Sequence, residues 1–286
     1  MKDLDFFPAV NLIVSNACRM QCDFCCAETS KYKSTTIEKD SLFKMIDILY
    51  SNGTQRICFS GGEPLLNPYI AELLKYSYNY NLTNTIMSSD GKAISKINFD
   101  PKFIDTFWIS VHGINEYHDN ITNVVNSFSD IQNAIESKKN YPFGIWSVVT
   151  PQNKETVDKL IEWCIGENIK KIYLSNLNLT GKGAEFVSDN GRISDKEFEK
   201  LVNYYHNKYI EYITVSGQKF NKNAQCTLVY PDGNVYITPY DNEEYQLLVG
   251  NILNEDPKGV FSRIKGDINL WADYTYRYNN LTLTRK

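Results

Sequence analysis

The sequence predicts an α/β fold built on a mostly parallel sheet. Three observations carry this. Short β-rich runs alternate with longer stretches over roughly the first 180 residues. The longer stretches place apolar residues at helical spacing, and Gly, Pro and Asn punctuate the joints. Strands that alternate with helices make right-handed crossovers, so the sheet is either doubly wound or curled into a barrel.

The elements follow in order. Ala9 to Ser15 (AVNLIVS) reads as a buried strand. Ile37 to Tyr50 sets Ile37, Leu42, Met45, Ile46 and Leu49 on one helical face, with Thr35 or Thr36 as cap and Asn52-Gly53 as stop. Strand Arg56 to Ser60 and helix Tyr69 to Tyr80 come next, then Thr83 to Ser88, and Phe103-Ile104 leading into Phe107 to Val111. Helix Ser129 to Ser137, strand Phe143 to Val149, helix Glu155 to Glu167 and strand Lys171 to Asn176 complete the alternation. After Leu179-Thr180-Gly181-Lys182-Gly183, small and polar residues run to about Ser194. Asp195 to Tyr212 reads as one helix, with Phe198, Leu201, Val202, Tyr205 and Tyr209 on one side. The pattern then changes. Cys226 to Tyr230, the turn Pro231-Asp232-Gly233 and Asn234 to Thr238 form a β-hairpin signature. Leu247 to Leu253 leads into a short helix near Val260 to Lys265.

Composition removes several function classes. The chain has 286 residues, 42% hydrophobic and 22% charged, enough for a sizeable core. Thirty basic and 34 acidic side chains give a formal charge of −4, which disfavours a general nucleic-acid or membrane-surface binder. Met1 to Val10 lacks the apolar core of a signal peptide, and no run of about 18 apolar residues occurs, so a cytoplasmic protein is expected.

Seven cysteines are too few and too unevenly placed for a disulfide framework, and four of them fall within Cys18 to Cys26. Cys18, Cys22 and Cys25 follow the first strand with three and then two residues between them. Three thiolates on one short loop suit three corners of an iron–sulfur cubane and leave the fourth iron open to a small molecule. The alternative is a three-cysteine zinc site completed by His112, His118 or Cys26. At the end of the second strand stands Ser60-Gly61-Gly62-Glu63-Pro64, where glycines admit a ligand close to the backbone and a carboxylate is at hand for an ammonium group.

Together these motifs resemble the radical S-adenosylmethionine (radical SAM) enzymes. CRMQCDFC resembles their cluster loop, with Phe24 before the third cysteine, and SGGEP resembles their methionine-binding turn. Ser88-Ser89-Asp90-Gly91, Ile109-Ser110-Val111-His112-Gly113 with Glu116, His118 and Asp119, then Asn153 and Leu179 to Gly183, continue the likeness over about residues 9 to 185. The resemblance implies a 4Fe–4S cluster on Cys18, Cys22 and Cys25, whose free iron chelates S-adenosylmethionine. It puts Gly61, Gly62 and Glu63 on the methionine amino group, Ser89 and Asp90 toward the ribose, Ser110 on ribose or carboxylate, and Asn153 with the backbone near Leu177 beside the adenine. Reductive cleavage then yields a 5′-deoxyadenosyl radical that takes hydrogen from the substrate. The implied fold is a partial (β/α)6 barrel over residues 1–185, a linker helix over 186–224, and a small β-hairpin/helix extension over 225–286.

Two departures bear on roles. His112 replaces the usual Asp of the fourth-strand turn, for substrate or cofactor contact or as a structural cap, and Thr122-Asn123 replaces a frequent Arg-Gly. Cys58 and Cys164 read as packing residues, and His206 as unremarkable. The hairpin resembles the SPASM/twitch extension of peptide- and sugar-modifying relatives, yet Thr238 stands where those have a second cysteine and none follows Cys226. One thiolate holds no auxiliary cluster, so a single cluster is expected. Cys226 is then either a small half-buried residue or a hydrogen-atom donor, which would make the reaction an epimerisation.

The function expected is peptide or small natural-product modification. An electron donor such as a flavodoxin or ferredoxin would feed the cluster. A separate leader-peptide recognition protein would be needed for some peptide substrates, since only about ten residues precede the first strand. The alternatives are tRNA modification, through a patch at Lys138-Lys139, Lys170-Lys171 and Arg285-Lys286, and a non-catalytic zinc or iron–sulfur binding protein.

Overall fold

A computed structural model describes residues 9–27, 37–217, 225–239 and 247–263; the side chains of residues 225, 226, 238, 239 and 247 are outside the description. The expected caps Thr35 and Thr36 lie outside the described residues.

β1 (Ala9–Ser15) leads through the cysteine loop to α1 (Lys39–Ser51), β2 (Arg56–Gly61), α2 (Ile70–Asn79), β3 (Thr83–Ser88) and the short α3 (Gly91–Ser95). β4 (Thr106–Ser110), α4 (Glu116–Thr122), α5 (Ser127–Ser137), β5 (Phe143–Val149), α6 (Val157–Gly166) and β6 (Lys171–Asn176) continue the alternation. α7 (Gly183–Asn190), α8 (Asp195–Tyr209) and β7 (Thr214–Gly217) follow, then β8 (Gln225–Val229), β9 (Asn234–Pro239), β10 (Leu247–Asn251) and α9 (Pro257–Ser262).

Local chemistry explains the boundaries. α1 buries Leu42, Met45, Ile46 and Leu49, and ends where Asn52 Nδ2 donates to Ile48 O at 2.7 Å and Gly53 turns with φ +89°. α8 starts at Ser194, whose hydroxyl accepts from Glu197 N. It stops at Tyr209, three residues before the expected end, because the chain tightens: the amides of Tyr212 and Ile213 both return to Tyr209 O. That turn frees Thr214–Gly217 to join the sheet as β7, a strand the sequence reading had not placed.

Among the described residues the strands form one sheet in the order β10-β9-β8-β1-β2-β3-β4-β5-β6-β7. β1 to β7 are parallel neighbours in sequence order, which is the curled, partial-barrel topology expected, with one parallel strand more. β8 pairs parallel with β1, Asn11 opposite Leu228, so the hairpin continues this sheet. Among the described residues the two ends, β10 and β7, do not pair, and the barrel is open.

The faces alternate by side-chain parity. Leu12, Ile57, Phe59, Ile86, Phe107, Ile109, Ile145, Ile172 and Leu174 are fully buried against the helices in the main core. Cys164 lies in that core, as expected. Cys58 does not. It sits between Ile57 and Phe59, faces the inner side of the barrel and is half-buried, and burial pushes its thiol up to about 11.

Candidate cofactor and active site

The cysteine loop is folded by bonds to two other segments. Gln21 N and Asp23 N donate to Thr122 O and Ile121 O at 3.0 and 3.1 Å, at the end of α4. Asn123, in a left-handed conformation with φ +53°, donates through Nδ2 to Gln21 O and to Asp23 Oδ1. Asn tolerates that backbone better than most residues, which accounts for Thr122-Asn123 in this chain. From the other side Lys182 N donates to Cys25 O at 2.9 Å, and Gly181, φ +59°, approaches so closely that a Cβ there would lie 2.4 Å from the same oxygen. Phe24 packs with Ile121, Leu177 and Phe186 in a second apolar cluster, its ring edge-on to His112 at 4.9 Å.

Cys18 is buried, and Cys22 and Cys25 are half-buried. Burial, reinforced by Glu63, pushes the Cys18 thiol up to about 12, and burial with Cys25 and Cys18 nearby pushes Cys22 up as well. Thiolates crowded this way need cationic compensation, which a bound metal provides by holding them deprotonated. The donor set therefore fits an iron–sulfur cluster. No three His, Cys, Asp or Glu side chains among the described residues converge as one metal ion requires. Each histidine offered for a zinc site has its Nδ1 engaged, since His118 Nδ1 accepts from His112 N and His112 Nδ1 accepts from Val148 N, both at 3.2 Å, while His118 Nε2 is buried with no hydrogen-bond partner.

The glycine turn meets the start of this loop. Gly62 N donates to Ser15 O and Glu63 N to Ala17 O, both at 2.7 Å. Gly61 has φ +139°, and a Cβ on it would stand 2.2 Å from Ser15 O, so only glycine brings the two strand ends together. The Glu63 side chain points inward. It is fully buried and accepts from Ser88 Oγ, Leu65 N, Ser89 N and Asp90 N at 2.8 to 3.1 Å. Burial outweighs those donors and raises its carboxyl to about 7. The carboxylate is thus a brace between the β2 and β3 ends.

Asp90, expected toward the ribose, has its carboxylate on Arg19. Arg19 Nε reaches Oδ2 at 2.8 Å and Nη2 reaches Oδ1 at 2.5 Å, while Oδ1 also caps α3 by accepting from Lys92 N and Ala93 N. Asp130 stands 3.7 Å from both Arg19 and Lys92. Asn153 is similarly occupied: Nδ2 donates to His112 O and Val148 O, and Oδ1 accepts from Thr150 N. It ties the β4 and β5 ends together. His112 is buried, and burial with His118 beside it lowers its ring to about 3, so it is neutral near pH 7 and serves as an acceptor. Ser89 and Ser110 remain half-exposed, Ser110 within 3.8 Å of Met87 Sδ. Leu177 is buried, its carbonyl accepting from Arg192 Nε. Arg19, Asp130 and Arg192 escaped the sequence reading, since their partners lie on other elements.

All these residues gather at the C-terminal ends of β1 to β6, where parallel α/β sheets bind ligands. The profile of the Radical SAM superfamily matches residues 12–164, and the chain belongs to that superfamily. It is an enzyme whose cofactors are a 4Fe–4S cluster and S-adenosylmethionine. Over 222 residues it is 28% identical to the S-adenosylmethionine-dependent nucleotide dehydratase of Flammeovirga pacifica, covering 72% of this chain and 75% of that protein. In fold it resembles Streptococcus suis SuiB bound to precursor peptide SuiA (TM-score 0.69, 15% identity, 93% of this chain and 67% of SuiB). It likewise resembles anSMEcpe with bound AdoMet and the Cp18Cys peptide (TM-score 0.65, 19% identity, 91% and 82% coverage). No helix among the described residues is long and apolar enough to cross a membrane.

Proposed function

We propose that this radical SAM enzyme modifies a peptide or a small natural-product precursor inside its open barrel. The observation that carries the reading is the cysteine loop: Cys18, Cys22 and Cys25 are locked between α4 and the loop before α7, at the sheet end that also carries Gly61, Gly62, Ser89 and Ser110. When bound, the cluster and S-adenosylmethionine supply a carbon radical able to take hydrogen from an unactivated C–H bond. The three cysteines hold the cluster. Backbone oxygens of the Gly61-Gly62-Glu63 turn accept from the cofactor's ammonium, a role the Glu63 carboxylate leaves to them because its own oxygens already accept four bonds. Ser89 and Ser110 bond the ribose and carboxylate, and Phe24, His112 and Leu177 form an apolar, water-excluding wall.

The peptide-bound fold relatives and the SPASM/twitch-like hairpin favour a peptide over a small molecule. Cys226, whose strand pairs it with Thr238, is the proposed hydrogen-atom donor. Its S–H hydrogen would pass to the substrate carbon radical, completing an epimerisation. The thiyl left behind would take one electron and one proton through a flavodoxin or ferredoxin. A separate recognition protein would deliver a leader peptide.

The test is anaerobic reconstitution with dithionite and S-adenosylmethionine, with 5′-deoxyadenosine quantified by chromatography. Product from the wild type and none from Cys22→Ala is the expected result; a reconstituted chain that binds zinc and no iron would sink the reading. For the donor, deuterium should enter the product from heavy water in the wild type and fail to enter with Cys226→Ala.

A further inference from the structure

We infer that the inner face of the sheet is a docking wall for an aromatic side chain of a peptide substrate, with Trp146 and Tyr173 as its stacking surface. The inference rests on the proposed reading that the barrel interior is the reaction chamber.

In a closed barrel the inward side chains fill the interior. Among the described residues this face is only partly filled: Asn11, Cys58, Thr85, Met87, Trp146 and Tyr173 keep partial exposure, while Ile13, Trp108 and Ser175 on the same face are buried. Register places Ser110, Trp146, Tyr173 and Ser216 side by side across β4 to β7. Two residues past Ser110, the last residue of β4, lies His112, in contact with Phe24 of the cysteine loop. An inward step is two residues, about 7 Å. A ring seated on this row would therefore hold its neighbouring backbone at the cofactor end of the barrel.

The aromatic row is built rather than incidental. Trp146 and Tyr173 lie 4.1 Å apart between ring centroids at 32°, and Trp108 supports Trp146 edge-on at 5.9 Å and 86°. Gly144 makes room for that support, since a Cβ there would be 2.8 Å from the Trp108 ring. The Trp146 indole N–H donates to Ser175 Oγ at 3.1 Å, so its polar atom is satisfied within the sheet, and with one face covered by Tyr173 the ring leaves its opposite face for a ligand to stack on.

Charge selects the peptide over a nucleotide. Among the described residues the cationic side chains on this face are Arg56 and Lys171, each the first residue of its strand and so at the end remote from the cysteine loop. Lys171 already donates to Thr106 Oγ1 at 2.7 Å and lies 5.6 Å from the Trp108 ring centre. A polyphosphate beside Trp146 and Tyr173 would face hydroxyls and aromatic rings with no cation to spare.

Saturation-transfer NMR on the reconstituted holoenzyme with S-adenosylmethionine tests this. The probes are N-acetyl-tryptophanamide, N-acetyl-alaninamide and GTP. Expected is saturation of the tryptophan amide and not of the alanine amide, with binding weakened about 2- to 12-fold in Trp146→Leu and in Tyr173→Leu and kept in Trp146→Phe. Equal saturation of both amides by the wild type overturns the proposal even if neither variant folds. So does saturation of GTP that Trp146→Leu abolishes, which would give the wall to a nucleobase. Binding is read without reductant and 5′-deoxyadenosine with it, so loss of one leaves the other standing.

Discussion

Arg19 sits one residue after Cys18 and makes a two-pronged ion pair with Asp90, a residue 71 positions away and almost fully buried. Removing the guanidinium leaves a buried carboxylate unpaired, a defect worth about 2 kcal/mol or more when one partner keeps some exposure. It also frees the segment between Cys18 and Cys22 from the β3 end. Arg19→Met should therefore lower the urea midpoint and reduce the iron retained per chain after reconstitution. Arg19→Lys, which supplies charge without the fork, should recover part of both. Full iron loading by Arg19→Met would mean that the contacts with Thr122 and Lys182 suffice. The same residues show what was legible at this scale. The cysteines and the Gly-Gly-Glu turn could be found because their chemistry lies in local spacing. The carboxylates of Glu63 and Asp90 and the amide of Asn153, read as cofactor contacts, have protein partners that brace strand ends. Pairings across 70 residues leave no mark in a single sequence.

At the scale of elements, strand–helix alternation was readable where helical periodicity ran over 10 residues or more, as in α1, α2, α5 and α6. α3, α4 and α7 were missed. They span five, seven and eight residues, too short for an amphipathic pattern, and α7 lies in a stretch whose glycines and polar residues read as loop. Yet the turn before α7 is the clamp on the cysteine loop. Gly181 takes a left-handed backbone there and abuts the carbonyls of Cys25 and Cys26. Gly181→Ala adds about 1 kcal/mol of backbone strain and a steric conflict with backbone that cannot yield cheaply. The expected outcome is a folded chain with an unchanged far-ultraviolet circular dichroism spectrum and a cluster absorbance at least halved. Ala at Gly166, where a Cβ meets nothing within 4 Å, should be silent in the same assay.

For the whole molecule, the expected division at residues 185 and 225 becomes a question of whether the C-terminal segment can be removed. β8 takes the open side of β1, and the apolar side chains of Val229, Val235, Ile237, Ile252, Val260 and Phe261 join the same core as the barrel strands. Each is at most 5% exposed. Their loss would strip apolar cover from the barrel core, and a domain's net stability is only about 5 to 15 kcal/mol. Truncation would also uncover the edge of β1, a parallel strand with apolar residues on the helix face and unpaired amides along its side, which invites association with other chains. A chain ending at residue 224 should therefore be recovered mainly as aggregate, and any soluble fraction should lack a cooperative thermal transition. A soluble truncated chain that melts cooperatively near the full-length temperature would make the hairpin a separable appendage. The Pro231-Asp232-Gly233 turn between two strand-like runs revealed the hairpin in the sequence. Its docking on the first strand was not legible there, because strand order is decided by packing between segments some 215 residues apart.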